Sequence, residues 1–421
     1  MSATFWVTCS IASAATSMAL TTARSTLADT IIFALVPIIF VLGSGLRPIL
    51  MPLPSWVIAG SIGWLYLAIS VLWAADIRQS VEILAFTAAL LTLVYIASKA
   101  IQSAPINWFG HILRSFLLAY AICLLFGFIE ETTNHQIKQF IFWPFRATSW
   151  SQGVPTINWS YVVHIRSHIS NWNISNLSLM LWPALLISGL IIQTTFVFGV
   201  RVILVLLAMA TALQSAHQSS VMALAAGLTI FGMASLWRKF TTYLIAAAWM
   251  ITLATAIPLS SSAFDAKLHL AKWAPFTTRH RVVIWKYTGD LARQRPIFGV
   301  GVGSTAPLDQ RRRGNFEKPT GFPSPLRTYS HAHNIYLQAW YELGAIGVLA
   351  LLIFGLSIIR TISLQHVRQQ PYLLAAFATV ATMSTTSFGL FEPWFVGSLA
   401  FTAMTLSFGL IHQQRTQLVN S

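Results

Sequence analysis

Apolar runs of about 20 residues recur along the whole chain, with polar stretches between them. A run of this length crosses roughly 30 Å of hydrocarbon as an α-helix. The runs do not alternate apolar and polar residues as the strands of an outer-membrane barrel do. The first run also fits a helix that lies at the membrane interface. The pattern predicts an all-α polytopic membrane protein of about 12 transmembrane helices, near residues 4–21, 28–46, 52–74, 81–98, 110–129, 174–192, 195–213, 219–236, 241–260, 335–359, 371–388 and 392–411.

Two long hydrophilic segments interrupt the spans, at about 130–172 and 261–332. They divide the chain into three predicted parts. Residues 1–260 hold the first nine spans and the first segment, and residues 333–421 hold the last three spans. Between them, the large loop 261–332 is expected to be partly helical and to lie outside the membrane.

The positive charges of the short loops predict the orientation of the chain, because cytoplasmic loops are enriched in Lys and Arg. If the N-terminus is cytoplasmic, only Arg24 and Arg78 fall in short loops on the other side. Both long segments then face outward, into the periplasm of a Gram-negative bacterium, and the protein sits in the inner membrane. The nine cytoplasmic charges would be Arg47, Lys99, Arg114, Arg201, Arg238, Lys239, Arg360, Arg368 and Arg415.

Composition agrees with a membrane protein, since 56% of the residues are hydrophobic and only 9% are charged. A soluble chain carries nearer a quarter charged residues. Cys9 and Cys123 both lie in apolar runs, so they offer neither a disulfide framework nor a metal site. The first 23 residues carry no charge, which disfavours a cleaved signal peptide.

The segment 261–332 is strongly basic. It holds twelve of the 26 Lys and Arg residues but only four acids, a net charge of +8 out of the total +15. An outward basic patch indicates an anionic partner, either lipid headgroups or a phosphate-bearing substrate, and nucleic acid is not expected on this face. Arginine suits phosphate because its planar fork donates two parallel hydrogen bonds. Arg279 and Arg281 are the candidates, and Arg281 shares a helix face with Trp285, four residues on.

The stretch "HAHNIYLQAWYELGAIG", residues 331–347, places polar groups at the outer mouth of an apolar helix. His331, His333 and Asn334 precede the span, and Gln338 is one turn inside it. The simplest interpretation is interfacial hydrogen bonding. Ionisable groups near membrane depth are costly, however, so beside a basic segment they favour a functional site.

Glycines mark two further positions. Gly344 and Gly347, three apart, are expected to let a neighbouring helix approach closely. Residues 299–303 read G-V-G-V-G, which lacks the strand and helix of a dinucleotide fingerprint and is expected to serve tight backbone packing.

These residues carry a resemblance to a known family. Nine residues separate His333-Asn334 from Gly344, and two more separate Gly344 from Gly347. This spacing resembles the pattern H-[NSQ]-x9-G-x-x-[GTY] of bacterial O-antigen ligases. The wider family also includes O-antigen polymerases and protein O-oligosaccharyltransferases. The resemblance extends to the number of spans, the basic loop and an Arg-x-x-x-Trp element, here Arg281 to Trp285. It implies a GT-C-like membrane fold, although the sequence motifs lie only in the last third of the chain.

The chain departs from the family at one position. The family places an arginine on the outer side between two spans ahead of the large loop, where this chain reads S-A-H-Q-S at residues 215–219. Either His217 or Gln218 takes the role of that arginine, or another cation such as Arg166 supplies it.

The resemblance implies a glycosyltransferase that moves a glycan from undecaprenyl pyrophosphate to a sugar hydroxyl of lipid A-core. His333 would be the general base, and Arg281, Arg279, His217 and Gln218 would hold the pyrophosphate. No cofactor is expected, since the sequence has neither a metal-ligand cluster nor a P-loop. The expected partners are the lipid-linked donor, the lipid A-core acceptor and membrane lipids. The supporting residues would be His331, Asn334, Gln338, Trp285, Gly344 and Gly347.

Two alternatives remain open from the sequence. An O-antigen or exopolysaccharide polymerase would use the same chemistry with a second lipid-linked glycan as acceptor. A non-enzymatic flippase of lipid-linked sugars belongs to another class, and would place its polar groups near the bilayer midplane. The outer-boundary position of the candidate residues favours an enzyme.

Overall fold

The structure is a computed structural model. It describes residues 54–103, 106–137, 150–151, 154–155, 170–192, 195–215, 217–312 and 316–420. The predicted spans at 4–21 and 28–46, most of the segment 130–172 and the alternative cation Arg166 lie outside the described residues.

The described residues form twelve α-helices, which confirms the all-α polytopic class. Nine of the helices in the described part of the chain are long and apolar enough to cross a membrane, including α1 with the 3₁₀ turn that follows it. Helices α8 and α9 lie in the large loop, which is therefore partly helical. The helices are α1 (Ser55–Ser70), α2 (Ile77–Ser103), α3 (Ile106–Thr132), α4 (Ser170–Ile191), α5 (Phe196–Gln214), α6 (Gln218–Leu236), α7 (Arg238–Asp265), α8 (Phe276–Gln294), α9 (Thr305–Arg311), α10 (Ile335–Ser363), α11 (Gln370–Ser384) and α12 (Pro393–Asn420). Short 3₁₀ turns occupy Val71–Trp73 and Leu268–Leu270, and two-residue strands β1 (Trp150–Ser151) and β2 (Val154–Pro155) pair antiparallel.

The predicted span at 371–388 is shorter in the structure than expected. Helix α11 has 15 residues and ends at Ser384, a rise of about 22 Å. The turn that follows reaches down to the first turn of α10, where the backbone N–H of Leu390 donates to Gln338 Oε1 at 3.0 Å. The predicted span extends beyond the end of α11, because the turn that follows the helix is also apolar and packs inside the protein.

The described chain forms two compact units. The first contains Leu90–Ala226 and the residues from Gly397 onward. Helices α3, α4 and α5 pack against one another, and most of α4 is buried. A buried polar residue of α4 is paired inside the unit: Asn176 Oδ1 accepts from the Ser398 hydroxyl at 2.5 Å.

The second unit contains Met51–Ala89 and Gly227–Val396, and α10 is its central helix. Helices α1, α7 and α8 all pack against α10. Indole N–H groups tie α7 to α10: Trp340 donates to the carbonyl of Leu253 at 2.7 Å and Trp249 donates to that of Leu352 at 3.3 Å. The large loop and the last turn before α12 belong to this unit, so it carries most of the predicted site.

Helix α10 is broken at Gly344, which has φ 63° and ψ −165°. The loop after α8 enters the break and takes over hydrogen bonds that a continuous helix would make. The N–H of Gly301 donates to the carbonyl of Glu342 at 2.8 Å, and the N–H of Ala345 donates to that of Pro296 at 2.8 Å. The extramembrane loop is therefore bound, backbone to backbone, to a membrane helix.

Glycine is required on both sides of this contact. A Cβ at Gly344 would lie 2.3 Å from the carbonyl oxygen of Ile297, and one at Gly299 would lie 2.4 Å from that of Glu342. The predicted tight backbone packing of the G-V-G-V-G stretch is confirmed. The expectation of a helix–helix contact at Gly344 is wrong, because the close neighbour is a loop. A Cβ added at Gly347 would meet the Cβ of Leu343, in the same broken helix, at 2.1 Å.

We expect Gly344→Ala to destabilise the protein by about 3 kcal/mol or more, from left-handed strain and a backbone clash together. Thermal unfolding in detergent measures the effect. Gly321→Ala is the matched control, since Gly321 has φ 77° but its nearest neighbour, Leu270 Cδ2, lies 3.6 Å away. Equal losses in the two variants would show that the contact with the loop contributes nothing.

Candidate functional site

The first polar residues of α10 form its N-terminal cap. Asn334 Oδ1 accepts from the backbone N–H of Leu337 at 3.0 Å, which satisfies one of the free donors of the first turn. The preceding residue, His333, has φ 51°, in the left-handed region. That conformation costs a non-glycine residue roughly 1–2 kcal/mol. Backbone strain held in place by its surroundings is often found at functional sites.

The chain that enters this cap is fixed by a buried carboxylate. Asp309 pairs with Arg327 and accepts from the N–H groups of Thr328 and Tyr329 at 3.0 and 3.1 Å. The guanidinium of Arg327 also stacks over the ring of Tyr329, 4.3 Å from its centre. The hydroxyl of Tyr329 lies 3.2 Å from Nε2 of His280 in α8. Helices α8 and α9 thus hold the approach to the histidines in place.

The hydrogen bonds of His333 fix its tautomer. Its Nδ1 lies 3.0 Å from the carbonyl oxygen of Ser387, in the turn after α11. A carbonyl can only accept, so Nδ1 carries the hydrogen and the neutral ring keeps its lone pair on Nε2. No side chain or backbone group of the described residues is hydrogen-bonded to that Nε2. The ring therefore offers an available proton acceptor.

The surroundings of His333 keep it neutral. Burial lowers its pKa to about 4, and the charges of Arg281 and His280 act in the same direction. The hydrogen bond to Ser387 opposes them but is outweighed. Burial, His333 and Arg281 similarly lower the pKa of His331 to about 3. Both imidazoles are unprotonated near neutral pH.

Three side chains near the start and middle of α8 have donors without a partner among the described residues. Arg281 is half-buried, and no acid or hydrogen-bond acceptor among the described residues pairs with its guanidinium. On the same helix, Nε of Arg279 and the indole N–H of Trp285 are buried without a hydrogen-bond partner in the described part of the chain. Protein interiors rarely leave such donors unsatisfied. The charge of Arg281 contributes to lowering the pKa of both His331 and His333, so the three side chains interact electrostatically.

Gln338 supports the site from inside the helix. Its Nε2 donates to Glu342 at 3.1 Å, and the buried carboxylate of Glu342 also accepts from the N–H of Gly303 at 2.8 Å and from the hydroxyl of Thr305 at 2.5 Å. A buried carboxylate is tolerated when such donors surround it. Glu342 therefore attaches the large loop to α10.

His217 and Gln218 belong to the first unit. His217 is buried, with Nδ1 2.7 Å from the Ser220 hydroxyl and 3.4 Å from that of Ser175. Gln218 begins α6. Their part in binding pyrophosphate stays a prediction.

Sequence reasoning missed four residues of this region. Glu342 had a visible signal, since it is a carboxylate inside an apolar span. The chain has only 11 Asp and Glu residues, of which Asp309 lies in the large loop and Glu392 at the start of the last predicted span. Ser387 contributes only its backbone carbonyl to His333, so its side chain could not have marked it.

The described residues include no group of three or more His, Cys, Asp or Glu side chains placed to hold a metal ion.

These features define a polytopic helical membrane protein in which neutral histidines lie beside an unpaired arginine at the end of a broken helix. Residues 202–352 match the family model described as O-antigen ligase. The match runs from α5 into α10 and includes Arg281, Trp285 and His333. Over this region the chain is similar to the O-antigen ligase family, which implies a glycosyltransferase-like enzyme activity. No curated protein and no solved structure matches the chain.

Proposed function

We propose that the protein is an O-antigen ligase, which transfers a glycan from undecaprenyl pyrophosphate to a sugar hydroxyl of lipid A-core. The observation that carries the proposal is the pairing of a neutral His333, with Nε2 free, and an Arg281 that has no carboxylate partner among the described residues. The first suits a base and the second suits the diphosphate. The outward charge pattern supports a periplasmic site in the inner membrane.

His333 would activate the acceptor. A sugar hydroxyl is a weak nucleophile until a base takes its proton. In the proposed reaction the hydroxyl gives its proton to Nε2 of His333 while its oxygen attacks the anomeric carbon of the donor. The bond from that carbon to the pyrophosphate oxygen breaks, and the lipid diphosphate leaves with the electron pair.

Arg281 would stabilise the leaving diphosphate. Two unit charges 4 Å apart interact with roughly 4 kcal/mol at an effective dielectric of about 20, and 1.36 kcal/mol changes a rate tenfold. The unpaired Arg279 Nε and Trp285 indole N–H on the same helix support a donor-rich anion site. The energy for transfer is in the pyrophosphate linkage, and we propose that neither metal nor ATP takes part.

Transfer in vitro tests this function. Purified protein is incubated with lipid-linked donor and lipid A-core, with a chelator present and ATP absent. We expect a glycan-bearing lipid A-core product that depends on both substrates. No product from folded protein under these conditions, but product after a divalent metal is added, would reject the metal-independent reaction.

The same chemistry with another lipid-linked glycan as acceptor describes a polymerase. A deletion strain separates the two. Loss of all ligated O-antigen, with long lipid-linked chains accumulating, indicates the ligase. If the deletion strain still attaches single repeats, the deleted protein is a polymerase. If its lipid-linked donor is trapped on the cytoplasmic side, the deleted protein is a flippase.

The pH dependence of transfer is expected to follow His333. The base must be neutral, so activity falls as the pH drops through its pKa of about 4. The pH profile of kcat/KM for the donor reports the pKa of the free enzyme. We expect kcat/KM to stay high at about pH 5.5, where an ordinary histidine of pKa about 6.5 is mostly protonated. In kcat the acid limb should lie at higher pH, because bound diphosphate offsets the charge of Arg281. An acid limb near pH 6.5 in both parameters would contradict this assignment.

A further inference from the structure

The position of His333 creates a difficulty for catalysis. The burial and the neighbouring Arg281 that keep the ring neutral also make it a weak base, since they lower its pKa to about 4. A proton taken from the acceptor hydroxyl would be held poorly on that ring. Efficient base catalysis at neutral pH needs either a more basic group or a further acceptor for the proton.

A second imidazole contacts His333 on the side away from its free nitrogen. Nε2 of His331 lies 3.2 Å from Nδ1 of His333, and the ring centres are 4.1 Å apart. Because Nδ1 of His333 carries a hydrogen for the carbonyl of Ser387, Nε2 of His331 must face it as an acceptor. A neutral His331 then carries its own hydrogen on Nδ1.

That hydrogen points to a carboxylate. Nδ1 of His331 lies 3.2 Å from Oε1 of Glu392, the residue just before α12, and 2.9 Å from the hydroxyl of Ser330. Glu392 also accepts a side-chain hydrogen bond from Trp394. Its side chain is 31% exposed, against 15% for that of His331, so Glu392 is the more accessible of the two.

Resting on the proposed base role of His333, we propose that Glu392 and His331 form a proton relay that receives the hydroxyl proton from His333 and passes it toward solvent. Glu392 and His331 are positioning residues, because they act through His333 and do not touch the sugar. Glu392 lies 59 residues beyond His333, outside the motif that runs from His333 to Gly347.

The relay conserves atoms and charge. The hydroxyl proton binds Nε2 of His333, and the hydrogen on Nδ1 of His333 moves to Nε2 of His331. The hydrogen on Nδ1 of His331 then moves to Oε1 of Glu392. The result is two neutral imidazoles and one carboxylic acid, so no positive charge accumulates beside Arg281. Loss of the acid proton to water restores the carboxylate, but both rings then carry hydrogen on Nε2. The starting tautomers return after product release, when Nε2 of His333 gives its hydrogen to water and a proton that enters at Glu392 passes to Nδ1 of His331, while the hydrogen on Nε2 of His331 returns to Nδ1 of His333.

Steady-state kinetics of Glu392→Gln test the relay. Glutamine can still accept the hydrogen bond from His331 but is not a proton acceptor. We expect kcat to fall about 10- to 100-fold, a part of what general base catalysis contributes, with KM for both substrates within about twofold. Loss of the negative charge should also move the acid limb of kcat to lower pH, because the imidazoles facing Arg281 lose their counter-charge. A purely structural role would leave that limb in place.

Further variants keep the result interpretable. Glu392→Asp retains a carboxylate and should recover part of kcat, and His331→Gln should reproduce the loss from the middle of the series. Glu317→Gln, an exposed change in the same unit, is the matched control and should retain wild-type kinetics. Wild-type kcat and an unmoved acid limb in Glu392→Gln would overturn the relay, as would an Asp variant no better than Gln. Activity in His333→Ala would instead overturn the base role itself.

Discussion

His333→Ala is expected to abolish glycan transfer while protein level, membrane insertion and thermal stability stay close to wild type. The expected loss is about 10²- to 10⁴-fold, the usual contribution of a positioned general base. The variant removes the free Nε2 and the bond to the Ser387 carbonyl, but leaves the Asn334 cap that begins α10. Alanine is also strained at φ 51°, so thermal unfolding must accompany the rate measurement. Product formation from lipid-linked donor and lipid A-core is the readout.

The matched control for this variant is His366→Ala. His366 is an exposed histidine in the turn between α10 and α11, and its loss should leave transfer unchanged. A folded His333→Ala protein with wild-type transfer would rule out the base role. His333→Asn, which tolerates left-handed backbone better than alanine does, should be equally inactive.

Arg281→Lys is expected to impair transfer strongly, by about 10-fold or more, although it keeps the positive charge. Lysine is a point charge and cannot make two parallel hydrogen bonds to a diphosphate. The loss of one charge-assisted hydrogen bond corresponds to about 1.5–3 kcal/mol. Both donor binding and kcat should suffer, because the diphosphate is bound before transfer and gains charge during it.

Arg293→Lys is the matched control on the same helix. Arg293 already pairs with Asp290 at 2.7 Å and donates to the Ser261 hydroxyl at 2.7 Å, so it is not free for a substrate. Its replacement should leave donor affinity unchanged. Equal effects of the two substitutions would show that Arg281 is an ordinary surface arginine.

The helices of this protein could be predicted because hydropathy over a span depends on local composition alone. The described spans follow the apolar runs closely, and the pattern around His333 placed the polar residues correctly at the start of α10. Helix α11 was predicted too long, because the turn around Leu390 is apolar for a different reason: it packs against Gln338 inside the protein. Hydropathy does not distinguish burial in protein from burial in lipid.

The contacts that complete the site could not be predicted in the same way. His333 meets Ser387, 54 residues further along, and Glu392 meets His331 only because α11 returns the chain to the start of α10. Gly344 was assigned to helix packing, since three-residue glycine spacing is typical of that contact. In the structure Gly344 breaks the helix so that a loop can bind there. These contacts depend on tertiary structure, which one sequence does not encode in a local pattern.

A cryo-EM structure with a non-transferable lipid-diphosphate donor analogue bound tests the central claim most directly. The account predicts diphosphate oxygens within hydrogen-bond distance of the Arg281 guanidinium, about 2.7–3.2 Å, and the anomeric carbon on the Nε2 side of His333. A diphosphate bound away from α8, with Arg281 still unpaired and His333 facing lipid, would contradict it.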